Sequence, residues 1–360
     1  MTVRHLLLPS LVFLLAACKY DRAPSYFPQP PEEHYNTTPY NIDSALPSNF
    51  APMQIPADNP LTKEGVSLGR RLFYDPILSG DNTQSCASCH QQAFGFTDGG
   101  KRFSTGIDGT VGTRNSMSLF NVGYATSFFW DGRASTLEEQ ALMPIQDPTE
   151  MKESLPNMVA ELQAHPDYPT LFKKAFGSTT ITPELIAKAL AQFQRTLISG
   201  NSEYDKHYRK EGFMSDEAVN GYLLMLDLVG GDCLHCHSDG NVMWGNLNFE
   251  NNGMDSAFGD LGLGHITGNP ADNGLFKVMS LRNIEYTAPY MHDGRFATLE
   301  EVLDHYSEGL VMSPTVNLAK LEYAETGGVK LTQKEKGEIV AFLKALSDPD
   351  ALSNPAYGPP

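Results

Sequence analysis

The sequence predicts a mainly α fold with long loops, built from two similar units. Three observations carry this. Apolar residues recur at helical spacing behind polar caps in several stretches of the 360 residues, and no stretch shows the period-two alternation of a half-buried strand. Glycine- and asparagine-rich segments, about 95–112 and 238–273, separate these stretches. Finally, Cys86-Ala87-Ser88-Cys89-His90 returns as Cys233-Leu234-His235-Cys236-His237. Each copy is followed by Arg-Asn, Asp-Gly-Arg and Thr-Leu-Glu-Glu in the same order, so one unit was used twice.

The elements follow in order. Arg4 and His5 precede an apolar run that ends in Leu15-Ala16-Ala17-Cys18. This resembles a bacterial lipoprotein signal, cleaved before a cysteine that is then lipidated, and the run is too short to span a bilayer. Lys19 after that cysteine favours the outer membrane. Residues 19–55, rich in Pro, Tyr, Asn and Ser, read as a flexible tether. Leu61, Val66, Leu68 and Leu72 mark a helix ahead of the first motif. Thr136 and Glu139 form a capping box that opens a helix through Met143. Amphipathic helices are expected at about 154–164, 168–176 and 182–198, the last with Pro183 in its first turn. A helix over 215–228 runs into Cys233, and Thr332 with Glu335 caps a final helix over 332–346. The parts are therefore a signal (1–18), a tether (19–55), a first unit (56–200) and a second unit (201–350).

C-x-x-C-H is the attachment signature of c-type haem. The two thiols add across the vinyl groups of the porphyrin, and the adjacent histidine reaches the iron. A zinc site or a redox dithiol are the other readings of such cysteines. Zinc ribbons keep their C-x-x-C pairs close together, and a dithiol does not require the histidine that trails both copies here. Four of the five cysteines are used this way and the fifth is Cys18. Each unit is thus expected to be a cytochrome c-like haem domain of an exported protein. The formal net charge of −17 argues against nucleic acid and anionic membrane surfaces as partners. It suits a basic redox partner, or solubility alone.

The order of motifs resembles the bacterial di-haem cytochrome c peroxidases and their MauG-type relatives over about residues 55–348. The resemblance rests on both haem motifs, on Trp130-Asp131-Gly132-Arg133 and Glu139-Gln140-Ala141, and on Thr287-Ala288-Pro289-Tyr290-Met291-His292-Asp293-Gly294. It implies a peroxidatic haem at Cys86, Cys89 and His90 and an electron-transferring haem at Cys233, Cys236 and His237. It implies Glu150 as distal acid–base group, with Gln140 beside it and Pro144 packing the pocket, and Trp130 between the haems. It also implies a calcium ion held by the Asn115 side chain and the Thr287 and Pro289 carbonyls, a set of hard oxygen donors. Counted from His292, the sixth ligand of the second haem falls on Tyr306, the residue that MauG-type enzymes carry, where other members carry a methionine. Met291, Met279 and Met312 are competitors. His305 is expected to face elsewhere and His235 to face solvent.

The first haem decides between carrier and enzyme, because a peroxidase leaves one iron position open. Many family members close it with a histidine in the loop after the motif. Here no histidine occurs between His90 and His165, and the matching loop reads Ser104-Thr105-Gly106-Ile107. Met117, Met143 and Met151 are the remaining donors in that region. The expected function is reduction of hydrogen peroxide with electrons from a small redox protein such as cytochrome c. The alternative is a MauG-type oxidase of Tyr or Trp side chains in a protein substrate. A two-haem electron carrier would need six-coordinate iron at both sites. The expected place is the periplasmic side of an envelope membrane, anchored through a lipid on Cys18.

Overall fold

The computed structural model describes residues 37–226, 230–231, 233–237 and 242–360. The signal 1–18 and the first part of the tether, including Cys18, lie outside the described residues. The described residues belong to one compact unit. Helices in chain order are α1 Lys63–Tyr74, α2 Cys86–Cys89, α3 Leu137–Gln146, α4 Leu155–Ala164, α5 Tyr168–Phe176 and α6 Pro183–Arg195. They continue with α7 Glu203–Tyr208, α8 Asp216–Leu226, α9 Leu263–Thr267, α10 Leu299–Glu308, α11 Gln333–Ala345 and α12 Pro349–Leu352. Strand structure among the described residues is one antiparallel pair, β1 Phe249–Glu250 with β2 Phe276–Lys277, Phe249 opposite Lys277.

Two hydrophobic cores organise these helices. The first draws on α1, α3, α4, α5 and α6, with Leu72, Ile145, Phe172 and Phe193 fully buried. The second draws on α8, α10 and α11 around Trp244, Ile339 and Phe342. Burying each such side chain stabilises the fold by roughly 1.5–3 kcal/mol, so the amphipathic spacing drives the packing. Both cores use one device. A Cβ on Gly69 of α1 would lie 1.9 Å from the Ala189 carbonyl of α6, and one on Gly221 of α8 the same 1.9 Å from the Glu338 carbonyl of α11. Only glycine permits these two crossings.

The internal repeat is structural, and the structure corrects its register. Short one-turn helices at Val122–Tyr124 and Ile284–Tyr286 follow Asn121 and Asn283, which hold left-handed φ of 58° and 57°. Both asparagines bond Ser199: Asn121 Nδ2 to its carbonyl at 2.9 Å, Asn283 Nδ2 to its hydroxyl at 2.8 Å. The counterpart of Asn283 is therefore Asn121 and not Asn115. The aligned segments are Ser118-Leu119-Phe120-Asn121 and Ser280-Leu281-Arg282-Asn283. The bridges Phe128–Ala134 and Tyr290–Phe296 repeat in the same register, around the two Asp-Gly-Arg turns.

Two segments differ from expectation. Residues 37–55 do not read as a tether in the structure: Ile42, Phe50 and Met53 are buried with Leu61, Ile198, Val242 and Met243. Their apolar groups are irregularly spaced, so periodicity did not reveal them. The C-terminal tail crosses back onto the first core. Ala351 joins that core, and Arg70 donates to the carbonyls of Pro355 and Gly358 at 2.6 and 2.7 Å.

Candidate active site

The first C-x-x-C-H motif forms the short helix α2, capped by Ser85. His90 follows it and donates through Nδ1–H to the Phe96 carbonyl at 2.7 Å. That bond leaves the Nε2 lone pair for a metal and fixes the ring. Burial pushes the Cys86 thiol up to about 12 and raises that of Cys89 as well. These are neutral thiols suited to thioether formation, unlike the low-pKa thiolate of a redox dithiol. Cys86, Cys89 and His90 line a cavity of about 1170 Å³. This exceeds the roughly 300–1,000 Å³ of ordinary small-molecule sites. Half-buried thiols, a pre-oriented imidazole and the space beside them fit a covalent porphyrin.

Gln140, Pro144 and Glu150 line the same cavity, as do Ser104, Thr105 and Gly106. Helix α3 ends at Gln146, and the chain then turns: Glu150 N donates to the Asp147 carbonyl at 3.1 Å and Met151 N to that of Pro144 at 3.2 Å. The turn carries Glu150 to the cavity wall, where Ile107 N donates to its carbonyl at 3.0 Å. The loop Ser104-Thr105-Gly106-Ile107 thus rests against the Glu150 segment and carries no imidazole. Burial raises the Glu150 carboxyl to about 6, aided by Asp147 and opposed by Arg133. Of the methionine alternatives, Met151 packs in the first core, Met143 packs against Phe128 and Leu137, and Met117 lines the cavity.

The second motif repeats the proximal arrangement. His237 donates through Nδ1–H to the Trp244 carbonyl at 3.0 Å. Phe96 and Trp244, the two acceptors, both hold positive φ, 59° and 51°. Tyr306 lies on α10, and its phenol is raised by burial and by the adjacent Cys236 and Cys233 thiols, with the Asn252 side chain bonded to it. The phenol is thus within electrostatic reach of both thiols of this motif. His305 is buried and donates Nε2–H to the Asn252 carbonyl at 2.9 Å, with its ring centre 5.0 Å from that of Tyr306. Met291 Sδ accepts from Asn252 Nδ2 at 3.2 Å, Met312 is exposed, and His235 is half-buried.

Trp130 joins the two halves. Its Nε1 donates to the Asn115 carbonyl at 2.9 Å, Asn115 N donates to the His292 carbonyl at 2.7 Å, and the Trp130 carbonyl accepts from Lys277 N at 2.9 Å. Asn115 is buried and its Nδ2 donates to the Arg102 carbonyl at 3.1 Å. Thr287 is also buried, and Pro289 lies beside Gly294, which itself borders Arg102. Among the described residues no group of three or more His, Cys, Asp or Glu could hold a metal, and the expected calcium ligands include none of these types. Sequence reasoning missed the Arg114 bridges to Asp131 and Asp260, at 2.5 and 2.7 Å, and the buried Lys277. Their partners come from distant loops and leave no local pattern.

Fold and site define a helical protein with two C-x-x-C-H centres, one beside an acid-lined cavity and one beside a tyrosine. Residues 63–212 match the family described as di-haem cytochrome c peroxidase. Methylamine utilization protein MauG of Methylorubrum extorquens is 38% identical over 315 residues, covering 83% of this chain and 83% of that one. The cytochrome c551 peroxidase of Nitrosomonas europaea is 34% identical, covering 81% and 83%. A solved MauG-like protein associated with microbial copper homeostasis superposes with a TM-score of 0.80 at 37% identity, covering 89% of this chain and 99% of that one. The chain belongs to the di-haem cytochrome c peroxidase family, and its cofactors are two haem c groups. It is an oxidoreductase.

Proposed function

We propose that the chain reduces hydrogen peroxide to water at the His90 centre, using electrons that enter through the His237 centre from a small redox protein such as cytochrome c. The observation that carries this is a carboxyl group, Glu150, raised to about 6 in the same cavity as His90, Cys86 and Cys89. A haem c held by Cys86, Cys89 and His90 would supply the iron redox chemistry. The protein supplies the proton transfers. One H₂O₂, two electrons and two protons give two H₂O. Ionised Glu150 accepts a proton from the near oxygen of peroxide and returns it to the far oxygen as the O–O bond breaks, while Gln140 orients the peroxide from the same wall. A carboxyl near 6 serves both as base and as acid close to neutral pH. Trp130, bonded to Asn115 on one side and to Lys277 on the other, is the contact between the two centres.

Tyr306 beside Cys233 and Cys236 favours a second reading, a MauG-type oxidase that draws electrons from Tyr or Trp side chains of a protein substrate. A phenolate ligand favours the oxidised iron, whereas methionine favours the reduced one. We further propose that calcium is held by Asn115, Thr287 and Pro289, and that residues 56–200 and 201–350 are the two haem units. The chain is proposed to be exported and anchored by a lipid on Cys18 at the periplasmic side of the outer membrane. No helix among the described residues is long and apolar enough to cross a membrane. The test is one equivalent of hydrogen peroxide added to the fully ferric protein, without prior reduction, followed by stopped-flow haem spectroscopy. A rapid, long-lived spectral change supports an open His90 centre and turns the search to a protein substrate. No reaction until one electron is added means a closed site and sinks the open-site reading.

A further inference from the structure

The cavity beside His90 is lined by several cations, and the arginines are matched by carboxylates. Arg114 bridges Asp131 and Asp260, Arg133 bridges Asp131 at 3.1 Å, and Arg295 bridges Asp255 and Asp293 at 2.8 and 2.9 Å. Lys277 differs. It lines the same cavity and is only 5% exposed, yet it makes no ion pair among the described residues. Its ammonium donates to the Ser127 carbonyl and lies 5.6 Å from the centre of the Phe128 ring. Asp131 is the carboxylate whose charge it feels, and both Asp131 oxygens are already taken by Arg114 and Arg133. Burial accordingly pushes Lys277 down to about 8.

An ammonium has three N–H donors and a full charge, and one carbonyl satisfies neither. Holding it out of water is costly unless an anion arrives. The Lys277 backbone is bonded to the Trp130 carbonyl and paired with Phe249 of β1, which holds the residue in the cavity wall. A haem c in this cavity would bring the missing negative charge. A haem c is bound to its thiols by the vinyl edge, and its two propionates project from the opposite edge. Cys86, Cys89, His90 and Lys277 line one cavity, whereas Cys233, Cys236 and His237 are not in its lining.

We propose that Lys277 is the cation that receives a propionate carboxylate of the haem c held at His90. The pair neutralises two charges that are otherwise stranded in the interior. It also ties the carboxylate edge of the porphyrin to the strand that carries the Trp130 bond. Because the ammonium offsets a negative charge close to the iron, it keeps the reduced state of that haem accessible.

Lys277→Met and Lys277→Gln in the full-length holoprotein test this. Each removes the charge, and the glutamine keeps a donor for Ser127. With haem content and helicity unchanged, the midpoint potential of the His90 haem falls in both variants, read by spectroelectrochemistry, and that of the His237 haem moves less. The propionate bending band of the His90 haem shifts in the resonance Raman spectrum. Wild-type potentials and bands in both variants overturn the proposal, and so does a shift confined to the His237 haem. A crystal structure of the wild-type holoprotein decides independently of how the variants fold. A propionate oxygen within hydrogen-bond distance of Lys277 Nζ supports the pair, and an Nζ that meets only Ser127 refutes it.

Discussion

The two halves of the chain differ most at one equivalent position. Eight residues beyond its capping threonine the first half has Pro144, and the second half has Tyr306. Around these positions the halves agree: the His90 and His237 rings each donate Nδ1–H to a carbonyl, and Asn121 and Asn283 share a left-handed φ. At Pro144 the ring offers no donor and no ligand atom, helix α3 stops two residues later, and the turn beyond delivers Glu150 to the cavity. At Tyr306 the helix continues to Glu308, and the phenol feels the Cys236 and Cys233 thiols and bonds the Asn252 side chain. One scaffold thus places a proline and a cavity-lining acid in the first half where the second half has a buried phenol.

The largest effect expected of any single substitution is at Glu150, in the first half. Glu150→Ala should slow the reaction with peroxide by roughly two to four orders of magnitude while both haems stay bound, measured by stopped flow. A small effect would remove Glu150 from the mechanism and with it the contrast between the halves. With wild-type protein the same rate should fall about tenfold per pH unit below about 6, because the base form of Glu150 is then lost. A rate flat down to pH 5 would assign the proton transfer elsewhere.

The next difference is internal. Arg282 takes the place that Phe120 holds in the first half, and its guanidinium meets Asp205 at 2.7 and 2.9 Å with both side chains fully buried. Removing one partner leaves an uncompensated charge, so Asp205→Asn should cost about 3–5 kcal/mol by denaturant titration of the holoprotein. A loss within 1 kcal/mol would mean that water reaches the pair.

Tyr306→Met would offer the second haem a methionine in place of the proposed phenol ligand. It should raise the midpoint potential of the His237 haem and leave the His90 haem nearly unchanged. An unchanged potential at the His237 haem would show that Tyr306 is not its ligand.

The smallest effects are at the caps. Thr298 and Glu301 form a complete capping box, whereas the Glu139 side chain reaches Ser135 instead of closing the box on Thr136. Thr298→Ala should therefore cost about 1 kcal/mol, and Thr136→Ala less. Equal losses would show that the hydroxyl alone carries the cap.

Legibility followed the range of the interactions involved. Both C-x-x-C-H motifs, the helices at 155–164 and 168–176 and the caps at Thr298 and Thr332 are local patterns, readable because thioether attachment, helix periodicity and capping act within a few residues. The repeat was legible too, but its middle was set on the wrong dipeptide. Arg-Asn occurs twice, whereas the pair that shares a conformation is Asn121 and Asn283, within the Ser-Leu-x-Asn segments.

Residues 37–55 looked like a tether because Ile42, Phe50 and Met53 follow no period. They are buried by Ile198 and Met243, more than 140 residues away along the chain.

By itself the sequence determined a mainly helical, duplicated chain with two haem attachment motifs, because each of these depends on neighbouring residues. Only the tertiary structure decided which charges are matched and which carboxyl group is raised. Whether Asp131 is spent on Arg114 and Arg133, whether Lys277 finds a carboxylate among the described residues and whether Glu150 sits near 6 all depend on burial and on partners brought from distant loops. Solvation and Coulomb energies are set by position in space, and a linear pattern does not encode that position.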